Sequence, residues 1–424
     1  MHTNYRQIAF SCLFMSVPIL FFAYQFIIRV MPSLLTDKLM QQFCMDASQF
    51  GFLSSVYYLG IAVANIPVSL MLVRYPPGFV ISVASILLGA LLFIFYNLND
   101  GILGVFVRFL TGVFSSVGFM AVSRMALNCF SRASYGVVMS CSITFGLFGA
   151  FLGGAPLGKL ISIYGLDKMI TVLVVLSWLI AAASLFLPRH SKTEEEAKLP
   201  VLCFSCLKEV FCSGNLILLG FASVLMMGLG HGFADLWGVP YLVASYSISK
   251  AEAALIVGCT VFGVMAGGPV MSLFGRRFGN ANVILVSGIM EATVFLYVLL
   301  YHASFDVLLL KVFMFGLGFF SASKVLFFPI CVELSRPSIS TVAVAYMGFI
   351  FMAGGLLFHA TLGLALDYVS RGVELACYGC YSSGSLRSAL LIIPIACSAG
   401  AILTILITRV FAVKTISSGG GASL

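Results

Sequence analysis

Apolar residues fill the chain in long runs, each about the twenty residues that cross a bilayer as an α-helix, and polar residues gather in the short gaps between them. The runs predict twelve membrane-spanning helices, near residues 8–31, 48–73, 78–97, 101–127, 134–162, 167–187, 214–245, 251–274, 280–301, 304–333, 338–366 and 386–410. The first is longer than the core of a secretory signal and lacks a small-x-small cleavage site, so it reads as a helix. One long polar connector, 188–213, holds Arg189, Glu194, Glu195, Glu196 and Lys208. It separates residues 1–187 from 214–424, six helices on each side, and predicts an all-α membrane protein of two pseudo-symmetric bundles.

Composition agrees: 61% of residues are hydrophobic and 9% charged, with a mean hydropathy of +1.10. A water-soluble domain carries roughly 25% charged residues. The net charge of +8 does not indicate a nucleic-acid partner, because the Lys and Arg are dispersed singly over short loops. If both termini are cytoplasmic, that side receives about twice as many basic residues as the other, which predicts cytoplasmic ends and a cytoplasmic connector. Most of the twelve cysteines lie in apolar runs, where the thiol acts as a small hydrophobe. Cys377 and Cys380 sit in a polar loop and read as a loop pair or a disulfide. No metal or cofactor is expected.

The halves repeat at an offset near 203 residues: Ser69 maps to Ser272, Arg74 to Arg277 and Arg108 to Lys311. Such repetition argues for duplication, and repeated bundles that rock about a shared site are the arrangement of secondary carriers. The loop Pro67-Val-Ser-Leu-Met-Leu-Val-Arg74-Tyr-Pro-Pro-Gly78 resembles the major facilitator superfamily pattern Gly-x-x-x-Asp-Arg-x-Gly. Ser69 stands for the first Gly, Val73 for the Asp and Pro76 for the last Gly. Its counterpart, Ser272-Leu-Phe-Gly-Arg276-Arg277-Phe-Gly279, keeps the basic residue and the final Gly. Arg108-Phe-Leu-Thr-Gly112 is similar to the family's Arg-x-x-x-Gly signature, the glycine-rich stretch Gly146 to Gly158 to its fifth helix, and Leu236-Trp-Gly-Val-Pro240 to a segment of its bacterial carriers. The resemblance implies a secondary transporter of a bacterial inner membrane, monomeric and not an enzyme, with a gating motif at Ser69, Arg74, Arg276, Arg277 and Gly279. Val73 removes the carboxylate that the family places in a cytoplasmic charge network. Ala150 after Gly149 departs from the exporter form of the fifth helix.

An ionisable group within hydrocarbon costs at least about 2.5–3.5 kcal/mol, so the few that occur there are the candidates for chemistry. Arg108 lies eight residues past Asp100, about 12 Å into its helix, and a guanidinium there can hold a carboxylate or phosphate through paired hydrogen bonds. The alternative is a structural ion pair. Lys324 is the deeper of two lysines in the tenth run, and Gln25, Tyr24, Tyr57, Tyr58, Asn65 and Trp237 are further candidates for binding a polar solute. Asp235 with His231, one helical turn apart, and Glu291 are candidates for carrying a proton; structural pairing is the alternative for each. Arg29 reads as an interface anchor as readily as a ligand.

The leading reading is therefore proton-coupled uptake of a small polar or anionic metabolite, such as an organic acid, amino acid, peptide or sugar derivative. An organophosphate-type exchanger and a solute sensor that signals without transport are the alternatives. No P-loop, zinc-protease motif or nucleophile elbow occurs. Impermeant thiol labelling of single cysteines introduced at residue 3 and in the connector should modify both from the cytoplasmic side only; labelling from opposite sides would remove the two-bundle topology.

Overall fold

The computed structural model describes residues 5–130, 132–187, 204–301, 306–335, 340–370 and 381–419. Cys377 and Cys380, and residues 188–203 of the connector, lie outside the described residues. Among the described residues, twelve helical stretches are long and apolar enough to cross a bilayer: Phe14–Leu34, Ala47–Asn65, Pro77–Asn97, Gly101–Ala126, Cys141–Tyr164, Leu166–Ser184, Gly214–Tyr246, Lys250–Phe278, Asn280–Leu300, Val307–Leu334, Tyr346–Ser370 and Ser383–Arg409. They are called spans 1 to 12 below. Each falls on one of the predicted runs, and among the described residues there is no strand.

Spans 2, 4 and 10 start where the sequence supplies an aspartate cap. Asp46 makes a capping box with Gln49 ahead of span 2. The Asp100 carboxylate accepts from the amides of Ile102 and Leu103 at the head of span 4, and Asp306 accepts from Leu309 at the head of span 10. A carboxylate there satisfies orphan amides and favours the positive end of the helix. The predicted connector is not irregular to its end: Phe204–Cys212 is a helix. Its Val210 is fully buried while Lys208 and Glu209 are exposed, so one apolar face holds it to the protein.

The described chain forms two compact units, the first built from spans 1 to 6 with the segment Ile248–Gly258, the second from most of the chain beyond Phe204. Within the first, span 2 crosses span 4 at glycines. A Cβ at Gly60 would meet the Phe109 carbonyl oxygen at 2.3 Å, and one at Gly112 would meet that of Tyr57 at 2.0 Å. The second unit repeats the crossing between spans 8 and 10, with Gly263 against the Phe315 carbonyl and Gly318 against that of Thr260, both at 2.0 Å. Small residues let backbones approach where hydrocarbon offers no hydrophobic drive for association.

This doubled crossing corrects one detail of the repeat. Spans 2 and 8 keep the 203-residue offset, Gly60 to Gly263 and Tyr57 to Thr260. Spans 4 and 10 instead share an offset of 206, Asp100 to Asp306 and Gly112 to Gly318. Arg108 therefore corresponds to the buried Met314 rather than to Lys311.

Both units turn large apolar side chains outward: Ile102 is 86% exposed, Leu179 61%, Leu308 70% and Ile395 69%. On a soluble protein this surface would drive aggregation; in a bilayer it faces lipid tails. The interior of the second unit is packed around Met226, Ala292, Phe327, Met347 and Ala401.

Valine at Gly112 or at Gly318 should force the paired helices apart, a cost of about 1–3 kcal/mol or more for overpacking. Each is expected to lower the Tm of the purified protein by several degrees, whereas the same change at Gly316, where an added Cβ meets nothing within 4 Å, should leave it within error.

Candidate functional site

In the first unit the predicted residues of spans 1, 2 and 4 converge. Arg108 is 4% exposed, and its guanidinium lies over the Tyr57 ring, 4.6 Å from the centroid. Its Nη1 donates to the Ile28 carbonyl at 3.3 Å and its Nη2 to the Arg29 carbonyl at 3.0 Å. Nε is buried and has no hydrogen-bond partner. Among the described residues no carboxylate pairs with Arg108, so the structural ion pair that the sequence left open is not what holds it. The Tyr57 hydroxyl donates to Gln25 Oε1 at 2.8 Å, and the Tyr57 and Tyr58 rings meet edge to face. Arg29, half-buried, stacks over Tyr58 and Phe26, with 5.5 and 4.8 Å to the centroids, and so adjoins this cluster.

Tyr24 does not join them. Its hydroxyl donates to the Leu173 carbonyl of span 6 at 3.0 Å, and the residue is 1% exposed. It ties spans 1 and 6 together, one helical position away from the face that carries Gln25. Asn65 is half-buried two turns beyond Tyr57 on span 2.

The second unit brings together two residues that the sequence assigned to different tasks. Lys324 Nζ donates to Glu291 Oε1 at 2.9 Å and to Ser321 Oγ at 2.6 Å, with the two charged side chains 9% and 2% exposed. The pairing depends on a break in span 10, where the 3₁₀ turn Ala322–Leu326 separates Val307–Ser321 from Phe327–Leu334. Tighter winding carries Lys324 to the side facing span 9. Glu291 Oε2 is buried without a partner. One turn earlier, Gly288 accepts from the Cys397 thiol through its carbonyl.

The other pair lies on span 7. Its middle, Gly228–Trp237, is a π-helix carrying His231 and Asp235, both buried, with Nδ1 and Oδ2 3.1 Å apart. His359 of span 11 donates its Nε2–H to the His231 carbonyl at 2.7 Å; the carbonyl can only accept, which assigns the proton to that nitrogen. His359 was missed because a lone histidine in an apolar run carries no pattern of its own. Trp237 is 2% exposed at the end of the π segment.

The residues that the sequence assigned to a gating motif lie at or near the ends of the helices Ala47–Arg74 and Lys250–Phe278, which carry spans 2 and 8. Arg74 is exposed, with no carboxylate partner among the described residues, and Arg276 and Arg277 are exposed too, the latter over the Phe278 ring. Ser69 is half-buried. Gly279 has φ 87°, a backbone closed to other residues, whereas Pro76 at the matching place has φ −57°. The final Gly of the motif is needed only in the second loop.

Among the described residues, twelve helices long and apolar enough to span a bilayer, with basic residues and carboxylates buried among them, define a polytopic membrane protein. The chain matches the family model of the Major Facilitator Superfamily over residues 13–359, and it belongs to that family. It is similar in fold to a bacterial homolog of the human lysosomal transporter Spinster, with 15% identity, 95% of this chain and 96% of that one covered, and a TM-score of 0.69. It is likewise similar to the nucleoside transporter NupG, with 13% identity, 95% and 98% covered, and a TM-score of 0.71. No curated protein matches the sequence.

Removing one member of a buried ion pair strands the other, at about 3–5 kcal/mol, whereas replacing both by apolar residues is often neutral. Glu291→Leu and Lys324→Met are each expected to lower the Tm sharply and the double variant to recover most of the loss. Equal Tm for all four proteins would show that the pair bears no load.

Proposed function

We propose that this transporter takes up a small polar or anionic metabolite, an organic acid, amino acid, peptide or sugar derivative, together with protons, by alternating access. It does so as a monomer in a bacterial inner membrane, with both termini in the cytoplasm as the loop charges suggest. The observation that carries this reading is Arg108, a buried cation within a membrane span with no carboxylate among the described residues to balance it. Lys324 already has Glu291 as its counter-charge. Arg108 lacks one, and a substrate carboxylate or phosphate supplies it. Gln25, Tyr57 and Tyr58 beside it offer hydrogen bonds and ring faces to a polar solute.

The proton is carried by Asp235 with His231, or by Glu291. Each carboxyl has a basic neighbour in contact, so gain of a proton breaks an ion pair and its loss restores it. The organophosphate exchanger is supported by a separate observation, the two arginines stacked on adjacent tyrosines, Arg108 on Tyr57 and Arg29 on Tyr58. Two guanidiniums suit a dianion.

A thermal-shift panel of organic acids, amino acids, dipeptides and sugar phosphates would supply the solute for flux in proteoliposomes. Accumulation that requires an imposed pH gradient is expected; exchange only against preloaded solute would favour the antiporter, and binding without flux the sensor. Arg108→Ala should abolish uptake with expression intact, and near-normal flux would remove its role. Of Asp235→Asn and Glu291→Gln, the one that loses gradient-driven accumulation while keeping solute counterflow identifies the proton carrier.

A further inference from the structure

Span 1 remains helical through Pro32, ending at Leu34. Proline has no amide hydrogen, so the carbonyl four residues earlier receives no bond from its own helix. That carbonyl belongs to Ile28, and it is the one that Arg108 Nη1 approaches. Arg108 Nη2 bonds the next carbonyl, that of Arg29. The terminal nitrogens of the guanidinium are therefore turned to two adjacent carbonyls of span 1, and the first of them, Ile28, is the one that Pro32 leaves short of a donor. Tyr57 covers the guanidinium through its ring, and Nε is left buried without a partner. A guanidinium has five N–H groups in a fixed fork, so two bonds at its Nη end leave the Nε edge able to take an oxyanion in the same plane.

We propose that Arg108 is a bridge between the substrate's oxyanion and the end of span 1: its Nη1 replaces the amide that Pro32 lacks, its Nη2 holds the next carbonyl, and its Nε edge binds the anion. The anion part rests on the reading of Arg108 given above. An anion that draws the guanidinium toward itself lengthens the bonds to Ile28 and Arg29. Residues 28 to 34 then follow the guanidinium or lose their donor. Occupancy and the shape of this helix end are thereby linked, and the link acts equally in both directions. Lysine, with one compact ammonium in place of a planar fork, cannot serve backbone and anion together.

The bridge predicts a specific rescue. Restoring the amide at position 32 relieves Arg108 of its backbone duty, whereas doing so at Pro18, earlier in the same helix, does not. Hydrogen exchange on the purified full-length protein should show the amides of residues 29–35 opening about tenfold more often in Arg108→Ala than in wild type. Arg108→Ala combined with Pro32→Ala should return to within about twofold of wild type, and Arg108→Ala with Pro18→Ala should not. Unchanged exchange in Arg108→Ala, or equal rescue by Pro18→Ala, overturns the bridge and leaves the anion reading to the flux assay.

The anion arm uses acetate and inorganic phosphate as probes in a thermal-shift titration. Wild type should be stabilised by one of them, and the sources are distinguished by which. Arg108→Ala with Pro32→Ala, its helix restored, should lose the shift. Arg108→Lys alone should show little shift, and Arg108→Lys with Pro32→Ala, its ammonium freed from the backbone, should regain it. A shift that survives in Arg108→Ala with Pro32→Ala, or no shift in wild type with either probe, overturns the anion half whatever the exchange data show.

Discussion

Within hydrocarbon no water is at hand to satisfy a peptide group, and every N–H and C=O must find its partner in the protein. That demand shapes the whole molecule. It makes each apolar run a helix, and it sends buried hydroxyls back to their own helices, as Ser142, Ser177, Ser184, Ser223 and Thr404 bond carbonyls three or four residues earlier. It also makes each interruption conspicuous. Where span 1 contains Pro32 a side chain from span 4 donates instead, and where span 7 widens to a π-helix a histidine from span 11 reaches a backbone carbonyl.

The buried charges answer the same demand in three ways. Lys324 and Glu291 neutralise each other across spans 9 and 10, His231 and Asp235 lie on one helix face, and Arg108 is solvated by carbonyl dipoles and a tyrosine ring. An ion pair is balanced internally, whereas carbonyls and a ring stabilise a cation without cancelling its charge. This difference separates Arg108 from the other buried ions, and it is the ground on which an anion is proposed to seat there.

The spans were legible in the sequence because the signal that defines them, about twenty apolar residues between polar breaks, is the same quantity the bilayer selects. Burial was legible too: Arg108, Lys324, Glu291, Asp235 and His231, read as lying within apolar runs, are all buried. Azimuth was not. Tyr24 and Gln25 are adjacent in sequence, yet one bonds span 6 and the other Tyr57, and composition cannot show which way each turns. Changes of helical winding were equally hidden, so Lys324 and Glu291 were read as separate until the 3₁₀ turn of span 10 brought them into contact. The match of Arg108 to Lys311 failed for a related reason, since spans 4 and 10 carry an offset three residues longer than spans 2 and 8.

The π segment of span 7 holds more residues per turn than an α-helix covering the same rise. If one such turn relaxed to ordinary winding, the surplus residue would pass along the helix, lengthening it by about 1.5 Å and rotating everything beyond by about 100°. Trp237 and the stretch through Pro240 would then point in a new direction while every peptide kept a partner. Span 7 thus contains slack that can be moved without unfolding, stored beside the histidine and aspartate whose contact its winding sets.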